Sequence, residues 1–219
     1  MNKIICVFFV FLFSSLAGAY SVNDSPTTGL SQDTAYQLKQ GELNVFFWGW
    51  TTYGITDRFS LGTNFWLDMG SYPNLYAKFN VLPEGERHPA VSLGASNYLS
   101  PVHNIGAYDF SLYVSKQVGN LWLYIAPKYV GMNLGYIANY PLGGSVTAGL
   151  ISPLSDQFRL LLEASYDNLE FNVSQYRGGG ALEMDLNPVR ARLGYYSKFY
   201  PLNSRQDLLY FDIYFRHKF

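Results

Sequence analysis

Cysteine is all but missing from this chain. Among 219 residues there is one, Cys6, and it lies in the apolar run at the start, so the remainder has neither a disulfide framework nor a thiol. Charge is scarce as well: Asp, Glu, Lys and Arg together make up 14%, against about a quarter in ordinary soluble proteins. The charges balance, 15 basic against 16 acidic, which excludes the basic footprint of a nucleic-acid binder. Long hydrophobic runs are absent beyond the first residues, so no membrane helix of ~20 apolar residues is expected there. No segment shows a sustained 3.6-residue period with helix caps. The three histidines, His88, His103 and His217, have no paired metal spacing, and no calcium loop of alternating acids occurs. No metal and no cofactor are expected.

What is abundant is aromatic. Tyr, Phe and Trp reach 18% of the residues, while the mean hydropathy stays near zero at -0.02. Apolar and polar residues must therefore be mixed finely, and they are mixed with period two, the pattern of a strand with one apolar face. In "QFRLLLEASYD", Phe158, Leu160, Leu162, Ala164 and Tyr166 oppose Arg159, Glu163, Ser165 and Asp167, with Leu161 the exception. "PVRARLGYYSKF" sets Ala191, Leu193, Tyr195 and Phe199 against Arg190, Arg192 and Lys198. The last residues, "YFDIYFRHKF", set Phe211, Ile213, Phe215 and Phe219 against Asp212, Arg216 and Lys218.

Strands are predicted over 42–52, 58–68, 73–82, 89–99, 106–118, 121–131, 143–152, 157–167, 169–178, 189–199 and 207–219. Most have about the 9 to 11 residues that a tilted strand needs to cross a bilayer. Tight links containing Gly, Asn or Asp ("YGITDRF", "KQVGNLW", "SPLSDQF") alternate with broader ones such as "GMNLGYIANYPLGG". An even strand number requires one more strand before residue 42, placed within "SQDTAYQLKQ", giving twelve, with ten as the alternative. The opening "MNKIICVFFVFLFSSLAGAYS" has Lys3, an apolar run from Ile4 to Phe13 and Ala17-Gly18-Ala19, the order of a cleaved secretory signal. Residues 1–19 are thus a signal peptide, 20–31 a flexible leader, and 32–219 an all-β domain.

An exported sheet protein with this alternation is either a soluble sandwich or a single antiparallel transmembrane β-barrel. Three features favour the barrel. The apolar parity is rich in Phe, Leu and Tyr, the opposite parity carries charges of both signs, and aromatics gather near strand ends. Trp48, Trp50, Tyr53, Trp66, Tyr98, Trp122, Tyr140, Tyr195 and Tyr200 are candidates for interfacial girdles. Closure removes the unpaired edges that neither lipid nor solvent tolerates well. The final strand, with Leu209, Phe211, Ile213, Phe215 and a terminal Phe219, resembles the assembly signal of Gram-negative outer-membrane proteins. His217 departs from the Tyr often found third from the end. "YGITDRFSLGTN", from Tyr53 to Asn64, resembles a hairpin recurring in outer-membrane barrels. The resemblance implies the outer membrane as location, tight turns toward the periplasm, and lipid, lipopolysaccharide and the barrel-assembly machinery as partners; nucleic acid is not among them, and no oligomer interface is identifiable.

Chemistry has few candidates. A catalytic site needs a nucleophile, a base and an orienting group that converge. Only His103 lies in a long loop, and no His-x-Ser pair of the deacylase type occurs, so no catalytic residue is assigned. Gly178-Gly179-Gly180 lacks the Lys and helix of a phosphate loop and reads as a strand end or bend. The inward parity is the informative set: Lys78, Lys128, Arg159, Arg190, Arg192, Lys198, Arg216 and Lys218 against Asp68, Asp109, Glu163, Asp167, Glu170 and Asp212. Such a lining forms either a hydrated, weakly cationic pore or a network of pairs that fills the lumen. The expectation is a non-enzymatic barrel, either a small porin-like channel or a structural or surface-interaction barrel, with the filled or narrowly open lumen favoured. The alternatives are an outer-membrane lipid-modifying enzyme and a soluble periplasmic β-protein.

Overall fold

A sheet whose two faces differ throughout loses its unpaired edges when it curls until its first strand meets its last. The computed structural model describes residues 26–46, 49–70, 72–100, 105–134, 139–169, 176–186, 189–200 and 205–219. Among them are twelve strands: β1 Glu42–Phe46, β2 Thr51–Thr56, β3 Phe59–Thr63, β4 Asn74–Leu82, β5 Ala90–Ser100, β6 Ile105–Val118, β7 Leu121–Leu134, β8 Asn139–Pro153, β9 Phe158–Leu169, β10 Tyr176–Asp185, β11 Val189–Phe199 and β12 Arg205–Lys218. They form a closed antiparallel barrel in which every strand pairs with its sequence neighbours and β1 pairs with β12. The seam runs from Glu42 opposite Lys218 to Phe46 opposite Tyr214. Just beyond it, the Phe219 amide donates to the Gly41 carbonyl at 2.9 Å.

The two faces differ as the alternation requires. In β9, Arg159, Leu161, Glu163, Ser165 and Asp167 are buried inside while Leu162 and Tyr166 are exposed outside. In β12, Tyr214 and Arg216 are buried, and Leu209, Phe211 and Ile213 are exposed. Leu161 breaks the sequence alternation because the lumen has an apolar floor, where it meets Ala35, Trp122, Ile151 and Ala181. Trp122 and Trp50 therefore belong to the interior and not to a girdle. Trp122 is 2% exposed, with the Arg159 guanidinium 5.6 Å from its ring. Trp50 lines the lumen with its ring 5.6 Å from that of the buried Tyr76, while Trp48 lies outside the described residues.

Four sequence expectations need correction. The segment 42–52 is not one strand. β1 ends at Phe46 and β2 begins at Thr51, so the chain reverses inside the aromatic run "VFFWGW", where Gly49 is the sole turn-type residue. This reversal supplies the even strand number. The segment 31–40 is consequently not a wall strand: β12 already occupies the free side of β1, and residues 31–40 lie inside. The segment 58–68 stops being a strand at Thr63. Phe65–Met69 is a short helix, α1, whose first amides are capped because Asn64 accepts from Trp66 and Leu67; Asp68 sits there, bonded to Thr63 and Asn74. Finally, the strand expected over 169–178 is β10, over Tyr176–Asp185, and the three glycines lie within it. Gly179 faces inward across from Tyr196, and a Cβ there would run into the Tyr195 carbonyl and the Tyr196 ring.

The seam gives a direct test. Val45 and Phe215 are register partners on the outer face, within the ~4.5–5.5 Å Cα separation of antiparallel pairs that a disulfide can bridge. In refolded V45C/F215C, oxidation should protect both thiols from a maleimide that labels each single variant. Full labelling of the oxidised double variant would mean that the barrel does not close there.

Candidate functional site

The strands bring charged residues together in rows across the inner wall. Register places Arg159 of β9 beside Glu183 of β10, Glu183 beside Arg192 of β11, and Arg192 beside Asp212 of β12. One step toward the tight-turn end, Asp185 lies beside Arg190, and Arg190 beside Tyr214. Glu183 accepts from Arg192 Nε at 2.7 Å and lies 3.6 Å from Arg159 and 3.8 Å from Arg190. Arg190 pairs with Asp185 at 3.1 Å, and Arg216 with Glu42 at 2.9 Å. The Tyr214 ring sits between two guanidiniums, 4.7 Å from that of Arg192 and 5.9 Å from that of Arg190. Arg159, Glu183, Arg190, Arg192, Tyr214, Arg216 and Glu42 are buried. Burying an ion is unfavourable by several kcal/mol unless partners surround it, so each member depends on its neighbours.

The opposite wall is organised around the N-terminal segment. Residues 26–40 enter from the end where Gly41 and Phe219 meet and run inside the barrel. Thr27 to Thr34 double back, with the Gly29 amide donating to Gln32 at 2.7 Å and that of Thr34 to Thr27 at 3.1 Å. The segment joins no ladder of the wall, and its backbone is satisfied by wall side chains instead. Ser115 Oγ accepts from the Ala35 amide at 2.8 Å. Ser92 Oγ and Asn80 donate to the Ala35 carbonyl at 2.6 and 3.1 Å, and Lys78 donates to the Tyr36 carbonyl at 2.6 Å. Arg192 donates to the Gly29 carbonyl at 2.8 Å and to Thr28 at 3.0 Å. Glu163 accepts from the Ser31 amide at 3.0 Å, from the Ser31 hydroxyl, and from Tyr124 at 2.5 Å. Asp33 pairs with Lys78 at 3.7 Å and accepts from Tyr76.

Tyr124 explains two glycines. Its ring lies over Gly149 on β8, its register partner, and against Gly29 of the segment; a Cβ at either position would overlap it. Toward the tight-turn end, Tyr36 donates to Glu84 at 2.6 Å. Burial, and then this hydrogen bond, push the Tyr36 phenol up from its ordinary value, so it remains a donor.

Lys78, Lys128, Arg159, Glu163, Arg190, Arg192, Asp212 and Arg216 all lie on the inner face, and the wall joins Arg159, Arg190 and Arg192 around Glu183. Lys128 stands apart from them, 4.0 Å from Asp109. Lys218 is exposed at the barrel end, and Glu170 and His103 lie outside the described residues. Glu183, Asp185, Glu42 and Asp33 are members that the sequence expectation omits. The first two follow from the misplaced β10, although "ALEMD" carries the signal: Ala181, Glu183 and Asp185 alternate with Leu182 and Met184. On the outer face, Phe211 and Ile213 are exposed, as is the terminal Phe219. His217 lies between rings, 6.2 Å from that of Phe215 and 4.7 Å from that of Phe219. Among the described residues no group of three or more His, Cys, Asp or Glu is arranged to hold a metal.

Above the segment remains a pocket of about 320 Å³, lined in part by Gln37, Asn44, Trp50, Tyr76, Lys78 and Asp212. The arrangement can hold a small polar molecule against the segment.

Glu183→Gln removes the carboxylate from among three guanidiniums while keeping the shape of the side chain. Loss of one partner of a buried pair costs about 3–5 kcal/mol, so the urea midpoint of the refolded variant should fall by a corresponding amount. An unchanged midpoint would mean that the row contributes nothing to stability. Compared with known family models and with curated proteins, the chain matches none.

Proposed function

We propose that this chain is an integral outer-membrane β-barrel without enzymatic activity, exported by residues 1–19, whose lumen is closed by its own N-terminal segment, so that it acts as a surface-facing binding or structural barrel and not as an open porin. The observation that carries the membrane assignment is the inverted polarity of the wall. Arg159, Glu183, Arg190 and Arg192 are each less than 5% exposed, while Leu93, Phe110, Leu193 and Phe211 are each more than 50% exposed. A soluble protein rarely exposes a contiguous apolar surface beyond a few hundred Å², whereas a barrel in hydrocarbon needs such a band all around. Its backbone groups find partners in neighbouring strands, as lipid demands.

Closure of the lumen is supported by the segment's anchors. It is bonded to β4, β5 and β6 through Lys78, Ser92 and Ser115, and to β9 and β11 through Glu163 and Arg192. An ion crossing the tight-turn half would have to displace it from the inward apolar wall residues Trp122, Ile151, Leu161 and Ala181.

Two measurements test the proposal. The chain should fractionate with the outer membrane and migrate differently on gels before and after boiling; recovery as a periplasmic soluble protein would overturn the location. In planar bilayers the refolded chain should give no current steps, and a variant lacking residues 26–40 should give them. Steps from the whole chain would overturn the closed lumen.

A further inference from the structure

The pocket above the N-terminal segment has a chemical bias that its overall composition hides. Its lining charges cancel: Asp33, Asp109 and Asp212 face Lys78, Lys128 and Arg192. The cations are already engaged. Lys78 holds Asp33 and the Tyr36 carbonyl, Lys128 lies 4.0 Å from Asp109, and all three guanidinium nitrogens of Arg192 are hydrogen-bonded, to Glu183, Gly29 and Thr28. Each cation is offset by the carboxylate beside it, so an anion entering the pocket finds no net positive charge, and a cation finds no net negative charge.

What is uncommitted is a set of acceptors. Gln37 Oε1, Asn44 Oδ1 and Asp212 Oδ1 are buried without a hydrogen-bond partner, and all three side chains line the pocket. Asn44 is 2% exposed, and an acceptor buried so deeply is costly to leave unmade. The Gln37 amide is oriented unambiguously, because its Nε2 donates to the Lys78 carbonyl at 2.7 Å. Asp212 stands in register with Arg192, so its carboxylate has a counter-charge nearby but one oxygen still to satisfy. The rest of the lining offers ring faces: Trp50 and Tyr76 lie 5.6 Å apart with planes at 37°, and Phe46 and Tyr113 complete the set. The matching ligand carries several O–H donors, an apolar C–H face for the rings, and no net charge.

We infer that the lumen pocket is a binding site for a neutral saccharide, of about one or two sugar rings given that small-molecule sites begin near ~300 Å³. Gln37, Asn44 and Asp212 accept its hydroxyls, the last through the stronger charge-assisted bond, and Trp50 with Tyr76 supplies the platform for its C–H face. This deepens the proposed binding role, and it relies on the N-terminal segment only as the floor of the pocket and the source of Gln37.

The experiment uses the whole chain refolded in an amine-oxide detergent, which carries no sugar head group, with titration calorimetry against glucose, maltose and trehalose. Putrescine and inorganic phosphate serve as charged probes. Saturable binding of at least one sugar is expected, with neither charged probe bound. Asp212→Leu and Asn44→Leu should each weaken that binding about ten-fold or more, provided each keeps the wild-type gel shift on boiling; if Asn44→Leu does not fold, the half-buried Asp212 position decides alone. Binding of none of the three sugars, binding of putrescine or phosphate in their place, or sugar affinity unchanged in folded Asp212→Leu would each overturn the inference. Bilayer recordings on the same preparation separate the two proposals: a silent chain that binds no sugar ends this one alone, and a conducting chain that binds sugar ends only the closed lumen.

Discussion

The pairing of β1 with β12 is the constraint on which the rest depends. A β-sheet that ends in free strands leaves rows of amides and carbonyls unmatched, and here the seam from Glu42 to Phe46 against Lys218 to Tyr214 leaves none at that junction. Once the seam is made, inside and outside are defined for every residue by parity alone. It also brings Gly41 and the terminal Phe219 to one end, and so it decides where residues 26–40 must go. They turn inward at Gly41, and the lumen receives them.

An interior built this way cannot be an oily core. Side chains opposite the apolar parity are polar by construction, and the space is too confined for each to keep its own water. The wall answers with sign alternation across register, from Arg159 to Glu183 to Arg192 to Asp212, so that neighbours on adjacent strands neutralise one another. The N-terminal segment contributes on the same terms. Its peptide groups take up the hydroxyls and amines of Ser92, Ser115, Lys78 and Arg192, and Ala35 with Tyr36 covers the few apolar residues that face inward. Plug and wall are one polar network over one small apolar floor.

Most of the wall was legible in the sequence because period-two alternation is a local signal. β11 runs over Val189–Phe199 as alternation predicts, and β4 to β9 lie within a few residues of expectation. The failures have physical causes. In "VFFWGW" the aromatics carry no polar parity to reveal a reversal. At Asn64 a capping side chain outweighs the alternation of Phe65 and Leu67. The glycines of β10 look like a bend because the reason for them, the ring of Tyr196, comes from another strand. Of the lumen, the basic residues were readable from parity. Their principal partner, Glu183, was hidden by the misplaced strand. The route of residues 26–40 was not readable at all, since nothing in "SQDTAYQLKQ" distinguishes a strand that joins a sheet from an extended segment that is enclosed by one.

The path of that segment bears on the order in which the molecule can be built. Its anchors fall on both sides of the wall, with β4 to β6 holding Ala35 and Tyr36 and β9 and β11 holding Gly29 and Ser31. A cylinder that zipped shut first would have to admit the doubled-back segment through one of its ends. Seating the segment while the sheet is still an open ribbon avoids that obstacle and gives the curling strands a mandrel to wrap around. Residues 26–40 would then template the shape that β12 locks.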